Sequence, residues 1–417
     1  VTEYAMLPAG YQLDVAALAG PLLLRGVAAD PSLATHRAYW PEPSTLSAER
    51  LIAGARQGRI AGRGGAEFPF WRKLQVAVDS GRRRELVVNA AEGEPASAKD
   101  STLLSVAPHL VLDGAQLVAE ALGVQLVHVM VPGERPTVVA AAQRALDERA
   151  GGRGSLSFEL HPTSGGFVGG QARAALELLS GRANLPVTSR RPIAVAGLRG
   201  KPTLLSNAET FAQLAALTAI GPLGYAQFGT ADEPGTRILS VSADGPGGVV
   251  LEVPHGEPLS HVLRLCGYEL GHPVLIGGYH GTWLSAEQAA HSAISPAALK
   301  AFDARLGAGV ILPMMAGDCV LPYTAQIVGY LAQQRAQRCG PCTKGLPALA
   351  EACENLARTG PSVDRAALGR VQELCGLVTG RGACRHPDGT ARLVSSMLTT
   401  FPEEVSAHQQ GYCTVVS

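Results

Sequence analysis

The stretch Gly62-Arg63-Gly64-Gly65-Ala66-Glu67-Phe68-Pro69, followed by Lys73 and then by Val87-Val88-Asn89-Ala90-Ala91-Glu92-Gly93-Glu94-Pro95, decides how this chain is read. Glycines packed this densely after a helical segment let backbone N–H groups approach a flat, anionic group, and Arg63 and Lys73 add positive charge beside them. A tight surface turn accounts for the same glycines. Glu67 stands where the last glycine of a Gly-x-Gly-x-x-Gly run would be, so the loop alone leaves both readings open. Leu86 to Val88 reads as a buried strand. It runs into the acidic segment Asn89 to Glu94, where loops of an α/β sheet hold ligands.

Around that stretch the composition sets limits. A chain of 417 residues is too long for one ordinary core and implies about two to four domains. Lysine plus arginine and aspartate plus glutamate each number 35, so net charge gives no reason to expect nucleic acid or an anionic membrane as partner. No apolar run approaches a membrane span, and the first residues lack the charged-then-apolar pattern of a signal peptide, so a cytoplasmic protein is expected. In such a chain the eight cysteines suit metal binding or burial better than a disulfide set.

Upstream of the glycine loop, the run from Ser47 reads as a capped helix. Downstream, patterns alternate: helix over 109–122, strand over 125–131, helix over 137–150 and strand over 156–160. That alternation argues a mostly parallel sheet covered on both faces. A second glycine-rich loop, Ser164 to Arg173, precedes a helix and offers backbone donors to a phosphate or a ring edge, or merely connects. Ser206 and Glu209 fit a capping box at the start of an apolar helix. A smaller unit follows, with strands over 237–242, 248–254 and 274–277, a helix over 259–265, and Cys266 as a core thiol. From Thr324 onward the pattern is helical. There Cys339-Gly340-Pro341-Cys342 and the distant Cys384 could ligate zinc or an iron–sulfur cluster, form a redox pair, or be buried thiols.

Taken together, these motifs resemble the flavoprotein subunit of respiratory NADH dehydrogenase (complex I) and related subunits of NAD-reducing hydrogenases and formate dehydrogenases. That family reads GRGGAGFPTGLKW and NADEGEPGTFKD; this chain reads GRGGAEFPFWRKL and NAAEGEPASAKD. Its PTVVNNVET corresponds to Pro202–Thr210, its LGTGAVIV to Leu306–Leu312, and its FFAHESCGKCTPCREG aligns without a gap to Tyr330–Gly345. The resemblance implies an α/β fold. An N-terminal lead-in (1–46) would precede a Rossmann-like flavin-binding domain (47–230), a ubiquitin-like β-grasp (SLBB) domain (235–305) and a C-terminal helical bundle with an iron–sulfur site (306–417).

It also implies FMN held by Gly62, Arg63, Gly64, Gly65, Lys73, Asn89, Glu92, Glu94, Phe167, Gly170, Leu205, Ser206 and Asn207, with Glu92 as catalytic group. Cys339, Cys342 and Cys384 would ligate the cluster, and Ala336 stands where the family has its first cysteine. A 4Fe-4S cluster with a non-cysteine fourth ligand, or a 3Fe-4S cluster, follows, with Gln337 and His386 as substitutes for that ligand and Cys353 and Cys375 as core thiols. The expected role is electron transfer among subunits, ferredoxin-like or complex-forming, in the cytoplasm or peripheral to a membrane complex. NADH is expected to be a poor donor: Glu67 replaces a glycine, Phe70-Trp71 a Thr-Gly pair, Gln171 and Ala172 two glutamates, and Ala91 an aspartate. A cofactor-poor scaffold and an ordinary NADH-oxidising subunit are the alternatives.

Overall fold

The computed structural model describes residues 16–25, 30–81, 83–150, 156–189, 191–243, 245, 247–361 and 363–415, so much of the expected lead-in lies outside the described residues. The described chain starts with β1 (Ala16–Ala17) and α1 (Leu33–Tyr39). α2 (Ala48–Gln57) is the helix expected before the glycine loop, and the Ser47 side chain caps it by accepting the Arg50 amide. After the loop come α3 (Phe70–Asp79), β2 (Glu85–Asn89), α4 (Lys99–Val106), α5 (Pro108–Leu122), β3 (Leu126–Val131) and α6 (Pro136–Asp147). β4 (Ser157–Pro162), α7 (Ala172–Leu179), β5 (Thr203–Asn207) and α8 (Ala208–Tyr225) complete this part.

β2 to β5 form a parallel sheet in the order β4-β3-β2-β5. Leu86, Val87, Val88, Val127 and Val129 are all buried, as strands covered on both faces require. The chain winds from β2 through β3 to β4 and then returns to the other side of β2 to place β5. The carboxyl ends of β2 and β5 therefore flank a topological switch point, the usual ligand crevice of such sheets. α5 and α8 pack closely behind it, with Gly114 where an added Cβ would lie 1.9 Å from the Phe211 carbonyl oxygen.

The second unit contains β6 (Thr236–Val241), β7 (Val249–Pro254), α9 (Leu259–Leu265), β8 (Val274–Ile276), β9 (Thr282–Leu284), α10 (Ala286–Ala290), α11 (Pro296–Lys300) and β10 (Val310–Pro313). Its sheet runs β1-β7-β6-β10-β8-β9. The segment expected to open the helical domain thus supplies a central strand, β10, parallel to β6 and antiparallel to β8. All four β10 residues are buried, and a short continuous apolar run has no period that announces a strand. β1 extends the sheet along β7. The residues after it are pinned by the buried Glu252, whose carboxylate accepts the amides of Leu22, Leu23 and Leu24.

α12 (Val320–Gln333), α13 (Leu346–Ala357), α14 (Ala367–Val378), α15 (His386–Thr400) and α16 (Pro402–Gln409) form the helical part. Leu331, Leu349, Val371 and Val394 share a core with Trp283 of β9, so these helices pack on the second sheet. No single described helix is long and apolar enough to cross a membrane. α4 and α5 reach that length only together, bent by 94°.

Candidate functional site

Four segments expected at a flavin meet at the β2/β5 switch point. Asn89 at the end of β2 donates from Nδ2 to the Gly170 carbonyl at 2.8 Å, and its own carbonyl accepts from Asn207 Nδ2 at 3.2 Å. Gly64 lies against Asn207, with an added Cβ 3.6 Å from the asparagine Cβ, and Lys73 donates to the Leu205 carbonyl at 3.0 Å. Gly93 abuts the next loop so closely that a Cβ there would sit 2.7 Å from the Phe167 carbonyl oxygen.

A flat anionic group fits what these residues offer. Burial pulls the Lys73 ammonium down to about 8, and its described hydrogen bond goes to a neutral carbonyl, so an anion would stabilise its charged form. Ser206 Oγ is buried with no hydrogen-bond partner among the described residues. Gly65 has φ +104° and nothing nearer to an added Cβ than the Gly307 carbonyl carbon at 3.9 Å, so the loop offers backbone without side chain.

Other expected contacts have different tasks. Ser206 belongs to β5 and caps nothing; Asn207 is the N-cap of α8, accepting the Glu209 amide at 3.1 Å. The capping box expected of Ser206 and Glu209 is replaced because the Glu209 carboxylate turns to the Ile238 amide and to Lys99. Arg63 is buried and donates to the Thr236 carbonyl at 3.1 Å, tying the glycine loop to β6. Glu92 accepts from Ser97 Oγ and the Asp100 amide on one oxygen, and from Ser101 and Arg135 on the other. A carboxylate so saturated caps α4 and anchors Arg135, a positioning role in the structure as it stands. Glu94 is half-buried, accepts the Tyr279 amide at 3.1 Å on Oε2, and leaves the buried Oε1 unpaired.

Against Asn207 lies a buried charged group outside the expected contacts. The buried Lys99 ammonium contacts Asp100 Oδ1 at 2.9 Å, Asn207 Oδ1 at 2.9 Å and Glu209 Oε2 at 3.3 Å. Burial works against its charge, but Asp100 and Glu209 outweigh it and raise its affinity for the proton. The signal was in the sequence: Lys99-Asp100 closes the acidic motif, and both are nearly inaccessible.

Residues expected to obstruct NADH mostly point elsewhere. Glu67, at φ +48°, pairs with the buried Arg237 at 3.0 Å, so its charge is compensated and does not face the crevice alone. Phe70 is a core residue packed edge-on to Phe211, and Trp71 lies beside the guanidinium groups of Arg56 and Arg72. Gln171 caps α7, its Oε1 accepting from Arg173 and Ala174. A surface recess of about 600 Å³ lined by residues of α2 and α3, including Glu49, Arg56 and Gln75, shares no residue with the glycine loop.

The Phe167 loop bridges to the cysteines. Phe167 meets His280 edge-on and His386 at a tilt, with ring centroids 4.6 and 5.4 Å away, and its amide donates to Gln334. Val168, Ala336 and Cys342 form one apolar cluster, with Phe167 and Cys339 against it. Cys384 lies within electrostatic reach of Cys339 and Cys342; burial raises its thiol and the His386 amide opposes this. The Gln337 amide donates to Cys342 Sγ at 3.1 Å beside the π-helical turn Pro341–Gly345. Three thiols within electrostatic reach of one another, with N–H donors and an apolar wall, suit an iron–sulfur cluster. His386 is not free to be a fourth ligand, because Nε2 meets the Leu331 carbonyl at 2.8 Å and Nδ1 meets His280 at 3.1 Å. Gln337 is exposed at φ +54°.

The profile of the Nuo51 FMN-binding domain matches residues 55–216, and that of the NADH-ubiquinone oxidoreductase-F iron-sulfur binding region matches 323–408. The chain resembles the F subunit of NADH-quinone oxidoreductase. That of Streptomyces coelicolor is 27% identical over 381 residues, covering 88% of this chain and 84% of that protein. The HndC protein of the NADP-reducing hydrogenase of Solidesulfovibrio fructosivorans is 26% identical over 384 residues, covering 87% and 77%. The H2-reduced NAD+-reducing [NiFe]-hydrogenase superposes with a TM-score of 0.79 at 24% identity, over 94% of this chain and 67% of that one, which shows a shared fold.

Proposed function

We propose that this chain is an electron-transfer flavoprotein that holds FMN at the β2/β5 switch point and an iron–sulfur cluster on Cys339, Cys342 and Cys384. The observation that carries the reading is one loop touching both places: Gly166 and Phe167 abut Gly93 at the crevice, while Val168 shares an apolar cluster with Cys342. Bound there, FMN would supply chemistry that couples two-electron to one-electron transfer, and a cluster on the three cysteines would supply one-electron chemistry. The chain's share is positional. Gly62, Gly64 and Gly65 admit the flat group, Lys73 and the Ser206 hydroxyl meet its polar edge, Asn89 and Asn207 fix the loops around it, and Glu92 with Arg135 holds α4 in place. The cluster is 3Fe-4S, or 4Fe-4S with a fourth ligand that is not His386. Partner electron-transfer subunits are inferred from the relatives, which are subunits themselves.

Hairpin β6–β7, crossover helix α9 and the central β10 support a ubiquitin-like β-grasp unit, extending to Pro313 and not ending near 305. The test of the cofactor reading is a visible spectrum with iron and sulfide analysis of protein purified with FMN and iron supplied. Changing Cys339, Cys342 or Cys384 singly to serine should remove most cluster absorption, whereas Cys266→Ser should leave it intact. Equal loss from all four variants would point to general instability and leave the ligand assignment without support.

NADH is proposed as a weak donor, on narrower grounds than the sequence suggests. With Glu67 paired, the argument rests on Gln171, Ala172 and Ala91, which lack the carboxylates of the family's dinucleotide site. Each lost charge-assisted hydrogen bond is worth about 1.5–3 kcal/mol, or roughly tenfold to a hundredfold in affinity. Slow flavin bleaching in a stopped-flow experiment at micromolar NADH is expected. Rapid bleaching would make the protein an ordinary NADH-oxidising enzyme.

A further inference from the structure

A second set of soft ligands lies away from the expected cluster. Glu404 and His408, four residues apart, share one face of α16. Cys319, the residue capping α12, places Sγ 3.4 Å from Glu404 Oε1 and 3.5 Å from His408 Nε2, and those two atoms are 3.1 Å apart. Cys413 reaches the same point from the segment after α16, and the ligating atoms of all four residues lie within 4.8 Å of one another. Cys319, Glu404 and His408 are buried, and Cys413 is half-buried.

The spacing is close to that of a metal site, the two Cys319 distances falling within the range that a tetrahedral ion sets and the Glu404–His408 distance just under it. A tetrahedral zinc ion, with Zn–S about 2.3 Å and Zn–N or Zn–O about 2.0–2.2 Å, holds its donors roughly 3.3–3.7 Å apart. Two thiols, an imidazole and a carboxylate are a zinc-selecting set, too soft for magnesium or calcium. Charge points the same way. Among the described residues the only ion pair of the buried Glu404 is with His408, so no lysine or arginine balances it, and a divalent ion would. The Thr414 hydroxyl donates to Oε2 and its amide bridges both oxygens, orienting the carboxylate from outside as such partners do around metal ligands.

We propose that Cys319, Glu404, His408 and Cys413 bind one structural zinc ion that fastens the C-terminal segment to the start of α12. This is independent of the flavin and cluster reading. Cys319 precedes α12 and the Cys339 loop follows it, and 14 helical residues span about 20 Å. Binding would release the thiol protons to solvent and involves no electron transfer.

The experiment uses the full chain with flavin and cluster supplied, incubated with zinc, passed through a desalting column with a weak chelator and analysed for zinc and iron. About one zinc per chain is expected in the unaltered protein and in Cys266→Ser. Cys319→Ser and Cys413→Ser should each retain at least tenfold less zinc, with iron unchanged. Cys413 lies in the segment after the last helix, so its variant tests the site even where Cys319→Ser fails to fold. No retained zinc, equal retention in Cys413→Ser, or a Cys319–Cys413 disulfide in the peptide map would each overturn the proposal.

Discussion

Gly65→Val should lose bound FMN, with the flavin-to-protein absorbance ratio after gel filtration falling a hundredfold or more. Gly65 sits at φ +104°, a conformation a β-branched residue adopts only at a cost of about 1–3 kcal/mol. The new methyl groups would also enter the space that the glycines leave for the flat group, so strain and exclusion act in the same direction. Gly81→Val separates the two effects. Gly81 has φ +84° with nothing within 4 Å of an added Cβ, and it lies on the turn before β2. That variant should carry a similar backbone strain and keep its flavin. Normal flavin retention in Gly65→Val would show that the ring lies elsewhere.

The segments that built this site were legible because each owed its form to local physics. A dense glycine run, a continuous apolar strand and a capped helix can be recognised without knowing what they touch, and all three are where the sequence put them. Partnerships across long sequence distances were not legible. Glu67 looked like an obstacle because nothing near it in sequence says that Arg237, buried in another sheet, will take its charge. Phe70 looked like bulk over the ring, but as the first residue of α3 it is directed into the core against Phe211. The same limit hid β10, whose partners β6 and β8 lie about 30 to 70 residues upstream. Cys413 could not be grouped with Cys319 for this reason too: their proximity depends on how α16 returns to α12.

Ser206 and Asn207 show a finer limit. A capping box and an Asn cap shifted by one residue are both compatible with Ser-Asn-Ala-Glu. The choice is made by Lys99 and Ile238, which take the Glu209 side chain that the box would need. Glu92 was expected to be catalytic from its place in the motif. Its saturation by Ser97, Asp100, Ser101 and Arg135 depends on the α4 start folding back over it, and a motif string carries no such information.

Glu94→Gln should change the pH dependence of stability more than any other single substitution around the crevice. Burial pushes the Glu94 carboxyl up to about 8, with the amides of Tyr279 and Ala96 only partly opposing it. An added Cβ on Gly278 would lie 2.7 Å from Oε2, so the carboxylate is hemmed in on that side, and Oε1 has no described partner. The folded-state value is raised above the unfolded one of about 4.3, so the native protein holds this proton more tightly than the unfolded chain does. Its contribution is therefore fully present below about pH 4.3 and is lost as pH rises toward 8, at most about 1.4 kcal/mol per unit and several kcal/mol in all. Glutamine keeps the shape and can accept from the Tyr279 amide, but it cannot ionise. In urea unfolding, the wild-type midpoint should fall between pH 5 and 8 while that of Glu94→Gln changes less, the two meeting near pH 5 and the variant being the more stable at pH 9. Superimposable pH profiles would mean that Glu94 is ionised and compensated in the folded protein at neutral pH. A neutral Glu94 leaves Lys73 as the uncompensated charge among the expected flavin contacts, which is the polarity an anionic cofactor needs.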